Sequence, residues 1–211
     1  MCWSATADLW AGIGIGAVGV ACLASVRRPG DALLAAMPLL LGAHQIVEAA
    51  VWRAGGGTGT ATLAWAVIAL PLLPLWVPAG VLAAARPADR ARLVLPLAAG
   101  TATAGFLAYR LATRPVTAEA RGRTLGYVVD LPYAPLILAG YLLATVGALL
   151  LARDRTLRLL GLVTGAGAAV CAVLWSTAFL STWCAFAAVA SLLLLLWIRR
   201  RPAVTHGPLS S

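Results

Sequence analysis

Leu40-Leu41-Gly42-Ala43-His44-Gln45-Ile46-Val47-Glu48-Ala49-Ala50-Val51-Trp52 is apolar except for His44, Gln45 and Glu48. It closes an apolar run that starts near Ala32, and a run of about 20 residues is what a helix needs to cross a hydrocarbon core about 30 Å thick. On a helix turning about 100° per residue, Leu41, His44, Gln45, Glu48 and Trp52 share one face, and His44 and Glu48 form an i, i+4 pair. An ionisable stripe of this kind is costly against lipid, so it is expected to face a partner helix or a wet cavity.

Composition places the whole chain in the same class. Of 211 residues, 62% are hydrophobic and only 11% charged. Mean hydropathy is +0.92, beyond the balance of a soluble domain. All 16 basic residues are arginine, and the formal net charge is +9. A lysine-free, Arg/Ala/Gly-rich chain suggests a bacterium with a GC-rich genome, and the expected location is the plasma membrane, as a multi-pass protein. The charge is read as topological, and no nucleic-acid partner is expected.

Outward from the quoted stretch, the apolar segments predict seven transmembrane helices. The first covers about Thr6 to Val26 and stops at Arg27-Arg28-Pro29-Gly30-Asp31. It lacks a basic leader and a small-residue cleavage site, so it is read as a retained span. Gly14-Ile15-Gly16-Ala17-Val18-Gly19 spells a dinucleotide fingerprint but follows no strand; Gly12 and Gly16 are read as a close helix-packing face. The second span is about Ala32 to Trp52. The third, about Ala61 to Ala84, carries Pro71, Pro74 and Pro78 and is expected to kink and free backbone carbonyls. The fourth is about Leu93 to Thr113 and the fifth about Tyr133 to Ala152. Leu157 to Ile198 is long enough for two spans, with the break expected near Ala178 to Thr182. The fold expectation is thus an all-α polytopic membrane bundle: residues 1–201 form one seven-span domain, and residues 202–211 form a flexible cytoplasmic tail.

Orientation follows from the arginines. Eleven fall in the first, third and fifth loops and the tail, against five in the remaining loops. Positive charge on the cytoplasmic side then puts the N-terminus outside and the C-terminus in the cytoplasm. The long fourth loop, about Arg114 to Pro132, is expected to fold over a site as a lid, with Leu125 to Val129 as a short extended piece.

In that orientation the polar and aromatic residues gather at the outer end. The candidate ligand-binding set is His44, Gln45, Glu48, Trp52, Arg110, Trp175 and Trp183. Tryptophans there also suit an interfacial belt. Counting residues from the span ends puts Glu48 and Arg110 at one depth, so a Glu48–Arg110 ion pair is the leading expectation, acting either in a site or in fixing helix register. His44 and Glu48 could supply two metal ligands, but the only other histidine, His206, lies in the tail. No metal site is assigned and the cofactor is left open. Absence of lysine rules out a retinal Schiff base, and one intramembrane histidine rules out a three-histidine zinc hydrolase. No Gly-x-Ser-x-Gly, phosphate loop or paired-carboxylate motif occurs. Of four cysteines, Cys22 and Cys171 read as packing residues. Cys2 and Cys184 share the outer side as either a disulfide or two free thiols.

Met1-Cys2-Trp3-Ser4-Ala5-Thr6-Ala7, Gln45-x-x-Glu48-x-x-x-Trp52 and Trp183-Cys184-x-Phe186-Ala187-Ala188 resemble a domain-of-unknown-function family of uncharacterised bacterial multi-span membrane proteins opening Met-Cys-(Phe/Trp)-Ser. The resemblance covers nearly the whole chain. It implies a frequent glutamine at the position of His44, which moves weight to Gln45, Glu48 and Trp52, and it carries no activity.

The leading functional expectation is binding or transport of a small molecule or ion through an outward-facing polar cavity, with the lipid bilayer as the surrounding partner. One alternative is a membrane-embedded redox or metal-dependent enzyme using Cys2/Cys184 or His44/Glu48. The other is a scaffold or receptor whose polar residues only lock the bundle.

Overall fold

The computed structural model describes residues 4–121, 124–173 and 179–201. Among these the chain forms seven helices and one β-hairpin. Five helices are long and apolar enough to cross a membrane: α1 (Ala5–Ala24), α2 (Pro29–Arg53), α3 (Thr60–Ala84), α4 (Ala91–Thr113) and α5 (Ala134–Leu151). The hairpin, β1 (Thr117–Arg121) and β2 (Thr124–Val128), lies between α4 and α5. Two further long helices follow, α6 (Arg155–Val173) and α7 (Phe179–Arg200). Phe179 to Thr182, part of the expected break in the last apolar stretch, are helical, and Ala178 lies outside the described residues. These residues carry no glycine or proline to stop a helix.

α1 and α2 pack through glycine. A Cβ on Gly12 would lie 2.8 Å from the Gly42 carbonyl oxygen, and one on Gly42 would lie 2.8 Å from both the Gly12 oxygen and the Gly16 nitrogen. Small residues let the two backbones touch, which takes the place of a hydrophobic drive that lipid does not supply. The packing stripe on α1 is Asp8, Gly12, Ile15, Gly19 and Cys22. Gly16 offers its backbone to Gly42, but its own missing side chain points into open space. The expected Gly12/Gly16 face is therefore rotated, and Gly19, which abuts Leu39, is its second glycine.

The prolines act as the chemistry of the ring requires. In α3 a π-helical turn spans Ile68–Leu72, where the Leu73 N–H reaches the Ile68 oxygen. The Ala69 carbonyl then falls to Pro74, which has no N–H to give. Tyr141 Oη donates to it instead, at 2.7 Å, so the kink is fastened to α5 beside that helix's own π turn, Leu143–Gly147. Trp76 Nε1 on α3 also donates to the Leu33 oxygen at 2.8 Å, which ties α3 to the first turns of α2.

The main apolar core, including Leu34, Val81, Leu93, Leu149, Leu194 and Trp197, fills the arginine-rich half of the bundle. The outward faces stay apolar: Trp10 is 67% exposed and Leu136 is 70% exposed. A second, small cluster of Val51, Ala118 and Leu125 ties the hairpin to the opposite end.

Candidate functional site

Asp8 on α1 sits one turn beyond Gly12, and Glu48 lies less than two turns beyond Gly42, so the glycine crossing brings both carboxyls to the same end of the helix pair. Both are removed from water, Asp8 at 0% and Glu48 at 1% exposure, together with Gln45 at 1% and His44 at 5%. The Asp8 and Glu48 carboxyls lie within electrostatic range of each other.

Three aromatic donors close around them. The Trp52 indole faces the Asp8 carboxyl and the Trp65 indole faces the Glu48 carboxyl, but neither pair reaches hydrogen-bonding geometry. Trp65 stands between His44, its ring 5.1 Å away and tilted by 37°, and Tyr127, stacked at 3.4 Å within 3° of parallel. Among the described residues, Asp8 Oδ1 and Oδ2, Glu48 Oε1 and His44 Nε2 have no hydrogen-bond partner; nor do Trp52 Nε1, Trp65 Nε1 and Tyr127 Oη. Leaving a buried polar atom unsatisfied costs about 1–3 kcal/mol, so these acceptors and donors, gathered at one end of the α1–α2 pair, make it the candidate site.

The hairpin that brings Tyr127 here is held by backbone chemistry. Gly55, Gly56 and Gly57 all have positive φ, at 73°, 85° and 85°, which side-chain-bearing residues rarely adopt. That loop lets Gly57 and Ala118 exchange N–H···O bonds of 2.8 and 3.0 Å. Thr62 Oγ1 on α3 donates to the Gly57 oxygen at 2.9 Å. Ala118 pairs with Tyr127 across the antiparallel ladder, and with the side-chain period of two, Leu125 and Tyr127 point the same way, inward. The predicted extended piece, Leu125 to Val129, is thus one strand of a two-stranded cover. Burial first, then the negative charges of Glu48 and Asp8, push the Tyr127 phenol above its usual range.

The expected Glu48–Arg110 pair does not form. Arg110 turns outward: Nε and Nη2 donate to the Asp130 backbone oxygen at 3.0 and 2.8 Å, and Nη2 also engages the Asp130 carboxylate. Arg114 approaches the same carboxylate at 3.9 Å. Asp130 is 66% exposed, so pairing there keeps one charge hydrated, whereas a pair with Glu48 would desolvate both. Of the proposed ligand-binding set, His44, Gln45, Glu48 and Trp52 come together and Arg110 stands apart at the rim. Trp175 and Cys2 lie outside the described residues, as do the side chains of Trp183 and Cys184, which sit on the opening turns of α7.

Asp8, Trp65 and Tyr127 were not in that set. Asp8 was legible in principle, since Asp8-Gly12-Ile15-Gly19-Cys22 repeats at helical spacing. Among the described residues, no group of three or more His, Cys, Asp or Glu side chains is placed to hold a metal ion.

No curated protein and no solved structure matches the chain. A family model does, over residues 1–208, and by that match the chain belongs to the family of unknown function DUF6629.

Proposed function

We propose that the protein is a seven-span integral protein of the cell membrane, N-terminus outside and C-terminus cytoplasmic, that binds or transports a small cation or cationic solute at Asp8, His44, Gln45 and Glu48. The membrane placement is supported by five helices long and apolar enough to cross, by the length of α6 and α7, and by arginines crowded at one end of the bundle.

The observation that carries the ligand reading is the pair of buried carboxyls on adjacent helices, with no ion pair to either among the described residues. Two carboxylates bordered by the faces and N–H groups of Trp52 and Trp65 are the chemistry that recognises a monovalent cation or an amine. The hairpin gives the site a cover: Tyr127 rests on Trp65, and the Arg110–Asp130 bond fastens the strand's exit to α4. Entry from the outer side then requires Tyr127 to lift, which makes the hairpin the moving part.

Native mass spectrometry with elemental analysis on the purified protein tests this, comparing wild type with Glu48→Gln. The expected result is a stoichiometric ion or amine in the wild type, lost from the variant while the thermal midpoint stays within a few degrees. An empty wild type, with a variant that differs only in melting, would reduce the cluster to bundle structure.

A further inference from the structure

The opposite, arginine-rich end holds two adjoining hollows that the carboxyl site does not use. One, of about 310 Å³, lies between the ends of α3, α5 and α7 and the start of α6; it is lined by Arg86, Asp89, Arg92, Arg153, Asp154 and Arg201. The other, about 400 Å³, shares Arg92 and Arg153 with it and adds Arg158, Leu150 and Leu151.

The carboxylates there are already committed. Asp89 Oδ1 is shared by Arg92 at 3.2 Å and Arg153 at 3.0 Å. Asp154 Oδ1 caps α6, accepting from the Thr156 and Leu157 N–H groups at 2.8 and 3.3 Å. Arg201 is bound to Asp31 and to the Ala84 oxygen. Five guanidiniums therefore line the joined hollows against two carboxylates. The side chains of Arg86 and Arg158 have no hydrogen bond or ion pair among the described residues, and Arg92 Nε is buried without an acceptor.

We infer that this double hollow is a phosphate-binding site that takes the headgroup of an anionic phospholipid. Guanidiniums match phosphate oxygens in number and geometry, and basic pockets between helices at the positive end of a membrane protein are suited to anionic headgroups. Leu150 and Leu151, 40% and 39% exposed, flank the arginines where acyl chains would run, which favours a lipid over a free anion. The inference rests on the membrane placement proposed above and is independent of the carboxyl site.

Native mass spectrometry of the full chain in detergent tests it, titrating with phosphatidylglycerol, with phosphatidylcholine of the same acyl chains, and with inorganic phosphate. Wild type is expected to prefer phosphatidylglycerol by at least about tenfold. Arg86→Gln/Arg158→Gln should bind it about 25-fold more weakly, about fivefold per arginine, with an unchanged thermal midpoint in lipid-free detergent because neither side chain is bonded. Equal affinity for the two lipids, or an unchanged preference in the variant, would overturn the inference. Inorganic phosphate binding with the same arginine dependence and no lipid preference would assign the hollow to a soluble anion and overturn the lipid assignment. Retention of both proteins in carbonate-washed membranes is read alongside: their loss there would fail the membrane placement, a result separate from lost lipid selectivity.

Discussion

The two ends of this bundle treat buried carboxyls in opposite ways. At the arginine-rich end Asp31 is 1% exposed and is gripped by Arg201 through two hydrogen bonds of 2.7 and 3.1 Å, with the guanidinium also 4.9 Å above the Trp197 ring. Asp89 is held by Arg92 and Arg153. At the other end Asp8 and Glu48 are as deeply buried, while Arg110 and Arg114 pair with Asp130 instead. The Asp31 and Asp89 carboxylates are bonded into the fold by guanidiniums, whereas Asp8 and Glu48 have no arginine partner among the described residues.

The sharpest way to break that contrast is to neutralise one carboxyl at each end. Asp31→Ala strands Arg201 beside Trp197, and the loss of one partner of a buried pair should cost about 3–5 kcal/mol, read as a large drop in thermal midpoint in detergent. Glu48→Gln should leave the midpoint nearly unchanged or raised. Equal losses at both ends would mean that Glu48 is bonded into the fold after all.

A second prediction concerns the crossing that assembles the acidic end. Gly42→Val puts atoms where the Gly12 oxygen and Gly16 backbone now lie, so α1 must move away from α2, at about 1–3 kcal/mol. Because Asp8 reaches Glu48 only through this crossing, ligand retention should fall along with stability. Gly16→Ala, whose side chain meets nothing within 4 Å, should be neutral in both.

The smallest effect is expected at the cover. The Tyr127 phenol titrates above its ordinary value of about 10, so the undocked hairpin loses its proton first. Its contribution is then complete below about pH 10 and declines as pH rises beyond that. Tryptophan fluorescence should report Trp65 unstacking above about pH 10 in the wild type. Tyr127→Phe keeps the stack and should shift that transition upward; an identical alkaline profile would assign the transition to another group.

How much of this was legible depended on distance along the chain. The stripe of His44, Gln45, Glu48 and Trp52 lies within three turns of one helix, so spacing alone placed it on one face, and all four are found together. Pro71 and Pro74 announced a kink because the ring deletes a donor wherever it stands, although nothing local named Tyr141 as the side chain that takes the freed carbonyl. Asp8 was overlooked because a carboxylate in the first turn after a Ser4 cap is ordinary helix-end chemistry. Arg110 was misassigned because counting along helices gives depth but not direction, and Asp130, twenty residues away, was closer to hand.

That most of the chain is apolar helix, where those helices start and stop to within a few residues, and which faces are polar can all be read along the chain. Those properties follow from hydropathy, proline chemistry and a 3.6-residue period, all local to a segment. Packing between distant segments is what joins Asp8 to Glu48, lays Tyr127 on Trp65, and pairs Arg110 with Asp130 and not with Glu48. Each of those is a choice among partners far apart in sequence, settled by which backbones pack close enough to touch and which charges can keep their water.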